Sequence, residues 1–262
     1  MRTAILCLTA AGLGAGFTVS EPQDGAGRSS EQVLESYVED FRWDGAATTA
    51  RSFGVRVDGE GGGTWTVAVR GAQSADGKWG VDLAKGAPQK ATFVYTVDAA
   101  TLAAIDAGRL NALTAQGKAS SGDVSPMDVE WMDGAAKFDV NPFSFHFWTR
   151  GLPEKVPFGS DMTRKVHGAD NVAFYYEEGI RTIWSKLDNG DRVNNGPGQP
   201  MVVPFPVMVF AIAGRSLGTV GGKPVEAKAG EMVFIPPMTP YEWWNDDDEP
   251  AEAILVMFGD GA

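Results

Sequence analysis

Between residues 53 and 97 apolar and polar positions alternate. Phe53, Val55 and Val57 interleave with Gly54, Arg56 and Asp58; Trp65, Val67 and Val69 follow a glycine-rich turn at 59–63; Trp79, Val81 and Leu83, then Phe93, Tyr95 and Val97, repeat the pattern. A period of two gives each segment one apolar and one wet face, which predicts a β-meander. Ahead of it, Val33, Leu34, Tyr37, Val38 and Phe41 recur at helical spacing, with Ser29 or Ser30 as the N-cap. After it, Asp98 caps a short helix carrying Leu102 and Ile105 and closed by Gly108; Asn111 opens another with Leu113, and 117–122 reads as a last strand.

Past Asp133-Gly134 the chain is dense in aromatics, Phe138, Phe143, Phe145, Phe147 and Trp148. Such a segment is too apolar for a free linker. Pro142, Pro153 and Pro157 predict an extended, non-helical arm packed on the following unit or between units. Beyond it, short apolar runs at 182–187, 207–213, 231–235, 241–245 and 253–258 are separated by Gly, Pro, Asn and Asp, the spacing of an all-β sandwich or barrel. Gly221-Gly222 reads as a hairpin turn, and Pro236-Pro237 marks a strand end or edge.

The stretch at 230–245, GEMVFIPPMTPYEWWN, carries Gly230, Pro236 and Asn245 at the intervals of the second cupin motif, and it resembles that family. Met238 stands where the motif has a glycine and Tyr241 where it has a histidine. Counted back from Gly214, the first motif's His-x-His pair and Glu fall on Pro200 or Met201, Val202 or Val203, and Val207, none of which binds a metal. The earlier GEGGGTW turn at 59–65, the segment at 98–123 and the region at 127–132 together resemble the sterol carrier protein type two domain over about 105 residues. That resemblance implies an α+β fold, an antiparallel sheet covered by helices that enclose an apolar tunnel. On it the lining residues are Phe41, Trp65, Val67, Trp79, Val81, Phe93, Tyr95, Leu102, Ile105 and Leu113. The competing reading of the same residues is a solid core.

These readings divide the chain into 1–28, a signal peptide and disordered lead; 29–134, the sterol-carrier-like unit; 135–170, the aromatic arm; and 171–262, a double-stranded β-helix barrel. The apolar fraction of 44% is that of a globular protein, and 262 residues suffice for two ordinary domains. A net charge of −12 argues against nucleic acid or an anionic membrane surface as the main partner. Cys7 is the one cysteine, which leaves no intramolecular disulfide. Arg2 followed by the apolar run to Phe17 resembles a secretory signal, so a secreted or periplasmic location is expected; no later stretch approaches the ~20 apolar residues of a membrane span.

Candidate chemistry is sparse. His146 and His167, the two histidines, precede the barrel strands and read as structural residues, and the acidic run at 246–249 as a solvated turn. The expected lumen residues are Arg181, Val207, Val209, Tyr241, Trp243 and Asn245, with Glu242 alternating to the opposite strand face and Asp191 near the mouth. No nucleophile–base pair, phosphate loop or metal set is visible, so neither cofactor nor metal is expected. The reading is a non-catalytic carrier of a lipid or other apolar molecule joined to a metal-free barrel, with a homodimer through that barrel. The alternative is a metal-independent isomerase or lyase acting on an apolar substrate presented by the first unit.

Overall fold

The structure, a computed structural model, describes residues 27–119, 122–148, 156 and 158–262. The expected signal segment and Cys7 lie outside the described residues. No helix among the described residues is long and apolar enough to cross a membrane.

Helix α1 (Ser30–Phe41) begins where Ser29 and Gln32 exchange side-chain-to-backbone hydrogen bonds, a capping box that satisfies two otherwise orphaned amides. Strands β1 (Arg51–Asp58), β2 (Gly63–Gln73) and β3 (Trp79–Lys85) form antiparallel pairs, as the alternation predicts. Strand β4 (Phe93–Asp98) does not extend this meander. It crosses back to the other edge of β1 and runs parallel to it, giving the order β3-β2-β1-β4-β5 with β5 at Met127–Trp131. Alternation reveals which face a side chain occupies but is blind to which strand lies alongside. The crossing is accommodated at Gly54, where an added Cβ would sit 2.9 Å from Pro88. Helices α2 (Ala99–Asp106) and α3 (Ala112–Ala115) start at Asp98 and Asn111, whose carboxylate and amide oxygens each accept an amide three residues on at 2.7 Å. The expected strand at 117–122 is not formed by its described residues; the last strand is β5.

The aromatic arm is helical where it was expected to be extended. Helix α4 (Val140–Trp148) accommodates Pro142 in its first turn, where a missing amide breaks no helical hydrogen bond. It buries Phe143, Phe147 and Trp148 against the sheet, so the first core extends past residue 134. Phe147 meets Phe53 edge-on at 4.9 Å between ring centres, Trp148 meets Tyr37 at 5.0 Å, and the Tyr95 phenol shares a 2.8 Å hydrogen bond with Ser144. Burial holds that phenol far above its ordinary range, so it is a neutral structural partner.

The barrel starts at Arg164, earlier than the expected residue 171. Strand β6 (Arg164–Val166) pairs with the start of β7 (Ala169–Glu177), which pairs with β8 (Ile180–Leu187). With β10 (Val207–Ala213), β13 (Met232–Ile235) and β15 (Ala251–Phe258) these form a six-stranded sheet ordered β13-β10-β15-β8-β7-β6. The facing sheet, β12-β11-β14-β9, comprises β9 (Arg192–Val193), β11 (Arg215–Val220), β12 (Lys223–Lys228) and β14 (Tyr241–Trp244). The hairpin between β11 and β12 turns at Gly221 and Gly222, both at positive φ (58° and 75°), as the paired glycines predict. Met238, at the motif's glycine position, also keeps a left-handed φ of 56°.

Candidate functional site

Strand register sets what faces the lumen. Across the six-stranded sheet Tyr176, Arg181, Met257, Val207 and Ile235 lie in one row; Ile183, Leu255, Val209 and Val233 in the next; Asn171, Ser185, Ala253 and Ala211 in a third. From the facing sheet Tyr241 and Trp243 point inward, with Gly218 behind Trp243. Together they enclose most of a cavity of about 590 Å³ that continues into the seam with the first unit, where Leu113, Met127, Val129 and Trp131 complete the wall. This volume is in the range of small-molecule pockets.

Arg181 and Arg164 are the arginines of this barrel wall, and Arg164, on β6, donates to the Val124 carbonyl at 2.7 Å. The Arg181 guanidinium lies 4.6 Å from the centre of the Phe205 ring and 5.2 Å from that of Tyr176, and it donates to the Tyr176 phenol at 2.9 Å and the Gly261 carbonyl at 3.2 Å. Tyr241 is 6% exposed. Burial pushes its phenol up to about 12 against the opposing pull of the Arg181 charge, so near neutrality it keeps its proton.

The expected lumen residues divide. Arg181, Val209, Tyr241 and Trp243 line the cavity. Val207 is buried in the row beside it without lining it, and Asn245 is a strut: its amide donates to the Leu187 and Glu249 carbonyls while its oxygen accepts from the Asp247 amide. Of the residues expected along a tunnel in the first unit, Leu113 alone lines this cavity. Phe41, Trp65, Val67, Val81, Phe93, Tyr95, Leu102 and Ile105 are buried in the first core, with Trp79 packed at its edge. Helix α4 supplies the rings that occupy the space between sheet and helices. Tyr176, Ile183, Leu255, Met257 and the seam residues of β5 were not foreseen; the alternation in 180–187 and 251–258 carries the signal for the barrel part.

A metal centre does not fit this lumen. Its three rows offer aliphatic, Tyr, Ser, Asn and Arg side chains, and Tyr241 stands at the motif's histidine position; of the carboxylates that also line the cavity, Glu252 accepts from the Trp184 indole at 3.1 Å and Asp128 pairs with Lys118, whereas a hard or borderline divalent cation needs several imidazole or carboxylate donors converging on it. His146 lies outside the barrel, bonded to Asp44 and Glu177, and His167 sits in the β6–β7 turn, where burial lowers its pKa.

The cupin domain family matches residues 207–257, and the chain therefore contains a cupin domain there. Among solved structures the chain is similar to a Cupin 2 conserved barrel domain protein from Salinispora arenicola CNS-205, at 16% identity over 42% of this chain and 91% of that one, with a TM-score of 0.37. It is also similar to an RmlC-like cupin family protein with a double-stranded β-helix fold from Methanocaldococcus jannaschii, at 19% identity over 41% and 93%, TM-score 0.33. A third, described as a predicted oxalate decarboxylase from Thermotoga maritima, is 17% identical over 34% and 79%, TM-score 0.31. No curated protein matches the chain.

Proposed function

We propose that the protein is a non-catalytic binding protein whose cargo is a small, largely apolar molecule held in the cupin lumen and the adjoining seam. The cavity of about 590 Å³, walled by Ile183, Val209, Leu255, Met257 and Trp243, is the observation that carries this reading. Burying a methylene is worth ~0.8 kcal/mol, so ten enclosed methylenes supply roughly 8 kcal/mol before ordering costs, the scale of micromolar binding. The resemblance to the sterol carrier pattern supports an apolar cargo, and the aromatic packing of the first core favours the lumen and seam over a tunnel within the first unit. Against an enzyme stands the Tyr241 phenol, a poor general acid when its proton is held to about pH 12.

The test is native mass spectrometry of protein purified without detergent, followed by titration with 1-decanol and decanoate. A co-purifying small molecule, or saturable binding of either probe below about 100 μM, a constant weaker than the burial estimate allows, supports the reading. Failure of the folded protein to retain or bind any of these sinks it.

We further propose a second copy of the chain on the outer face of β10 and β13. Phe210, Ile212, Met232 and Phe234 alternate with the lumen residues, and all four are 37–49% exposed along a sheet edge. Contiguous apolar surface of this kind marks an association site.

A further inference from the structure

The cavity wall contains a charge with no internal answer. Arg181 projects from the inward face of β8, stacked between Phe205 and Tyr176, and its two acceptors, a phenol and a backbone carbonyl, are neutral. No Asp or Glu among the described residues forms an ion pair with it, although the chain carries 34 acidic against 22 basic residues. The acceptors and flanking rings fix the guanidinium's orientation and leave its charge uncompensated beside an aliphatic cavity, where attraction for an anion is screened far less than at the surface.

A second donor belongs to the same wall. The Tyr241 side chain makes no hydrogen bond to any described residue, although it is 6% exposed and lines the cavity. Its hydroxyl is therefore a donor open to the cavity, to which a ligand oxygen can supply the acceptor. We propose, resting on the binding reading above, that the lumen selects an apolar molecule bearing a single carboxylate, its head taken by the Arg181 guanidinium and the Tyr241 hydroxyl. One fork of N–H donors and one O–H donor suit the two oxygens of a monoanion. Of the other basic side chains that line the cavity, Lys118 is paired with Asp128 at 2.6 Å and Arg164 is turned to the Val124 carbonyl at 2.7 Å. Burial keeps the phenol protonated, so it donates.

The experiment compares decanoate, 1-decanol and decylamine on the full chain at pH 7.5 by calorimetry or displacement of a fluorescent fatty acid. Decanoate should bind at least about tenfold tighter than 1-decanol, the size of one charge-assisted hydrogen bond, and decylamine weakest. Arg181→Met should abolish the preference for decanoate over 1-decanol, with an unchanged circular dichroism spectrum and melting curve showing the fold intact. Tyr241→Phe should weaken decanoate by roughly three- to tenfold, a neutral hydrogen bond's worth. Arg181→Lys, which keeps the charge, should retain part of the preference. Should Arg181→Met fail to fold, the ranking of the three probes on the wild type and the Lys variant still decides the matter. Equal binding of decanoate and 1-decanol by the wild type, or an acid preference that survives Arg181→Met, overturns the carboxylate inference while leaving the binding reading intact. Binding of none of the three overturns both.

Discussion

His146 on α4 is hydrogen-bonded through Nε2 to Glu177 at the end of β7, so the helix that packs on the first core is tied directly to the barrel. Its Nδ1 faces Asp44 at 3.0 Å, and the hydrogen bond with Asp44, opposed in part by burial, raises the imidazole's pKa above 6.5. A raised folded-state value means that the histidine's contribution to stability is complete below pH 6.5 and is lost as pH rises through the folded pKa. Thermal melting followed across this range should therefore fall on the alkaline side of 6.5. His146→Gln should flatten that dependence, and an unchanged profile in the variant would show that another group carries it.

Met238→Gly should stabilise the protein. A side chain at φ 56° costs roughly 1–2 kcal/mol, and the glycine's extra freedom in the unfolded chain takes back about 0.5–1, leaving a net gain of up to about 1.5 kcal/mol. Little packing is lost, since Met238 is 66% exposed. Urea unfolding of the two proteins measures the difference; a less stable variant would mean that the Met238 side chain is held by contacts worth more than the strain.

Phe147→Ala should cost about 3–5 kcal/mol by the same measurement, because the ring is fully buried between Phe53, Phe41 and Trp148. A loss near zero would mean that α4 is not part of the first core.

Ala253→Phe adds a ring to the lumen row between Ser185 and Ala211. Binding of decanoate and 1-decanol should weaken more than tenfold while the melting temperature stays within a few degrees, since the ring enters empty space rather than a packed core. Unaltered binding would place the probes in the seam.

Phe234→Glu should yield monomers in sedimentation at concentrations where the wild type is dimeric, because a carboxylate in the middle of the proposed interface would be buried unpaired. A monomeric wild type ends the proposal.

Much of this was legible in the sequence, and the failures share a cause. Alternation and capping residues identified α1, β1 to β4, the starts of α2 and α3, and the barrel strands β8 and β10 to β15, though not β6, β7 or β9, because each is a local property of side-chain period and backbone amides. The parallel pairing of β4 with β1 is not local, and no residue along β4 announces it. The aromatic arm was misread because Pro142 signals a break only away from a helix's first turn, and 140–148 shows that apolar density outweighs a proline placed there. The candidate site was half visible: Tyr241, Arg181, Val209 and Trp243 follow from motif spacing and strand period. The seam residues and the filling of the first core by Phe143, Phe147 and Trp148 depend on how two units meet, which periodicity does not encode.

Asn111 has a second duty beyond capping α3. Its amide donates to the Ala173 carbonyl at 2.8 Å, and the Thr114 hydroxyl accepts from the Ala173 amide at 2.9 Å, at a point where β7 has run past the end of its β6 neighbour and its register with β8 shifts. Two side chains of a one-turn helix thus occupy backbone groups that would otherwise sit on an open sheet edge, the feature through which β-proteins join edge to edge into aggregates. The first unit is in this sense a guard for the barrel. Residues 164–262 released from it would expose that edge, and their tendency to self-associate, rather than any loss of internal packing, would limit the barrel's life as a separate protein.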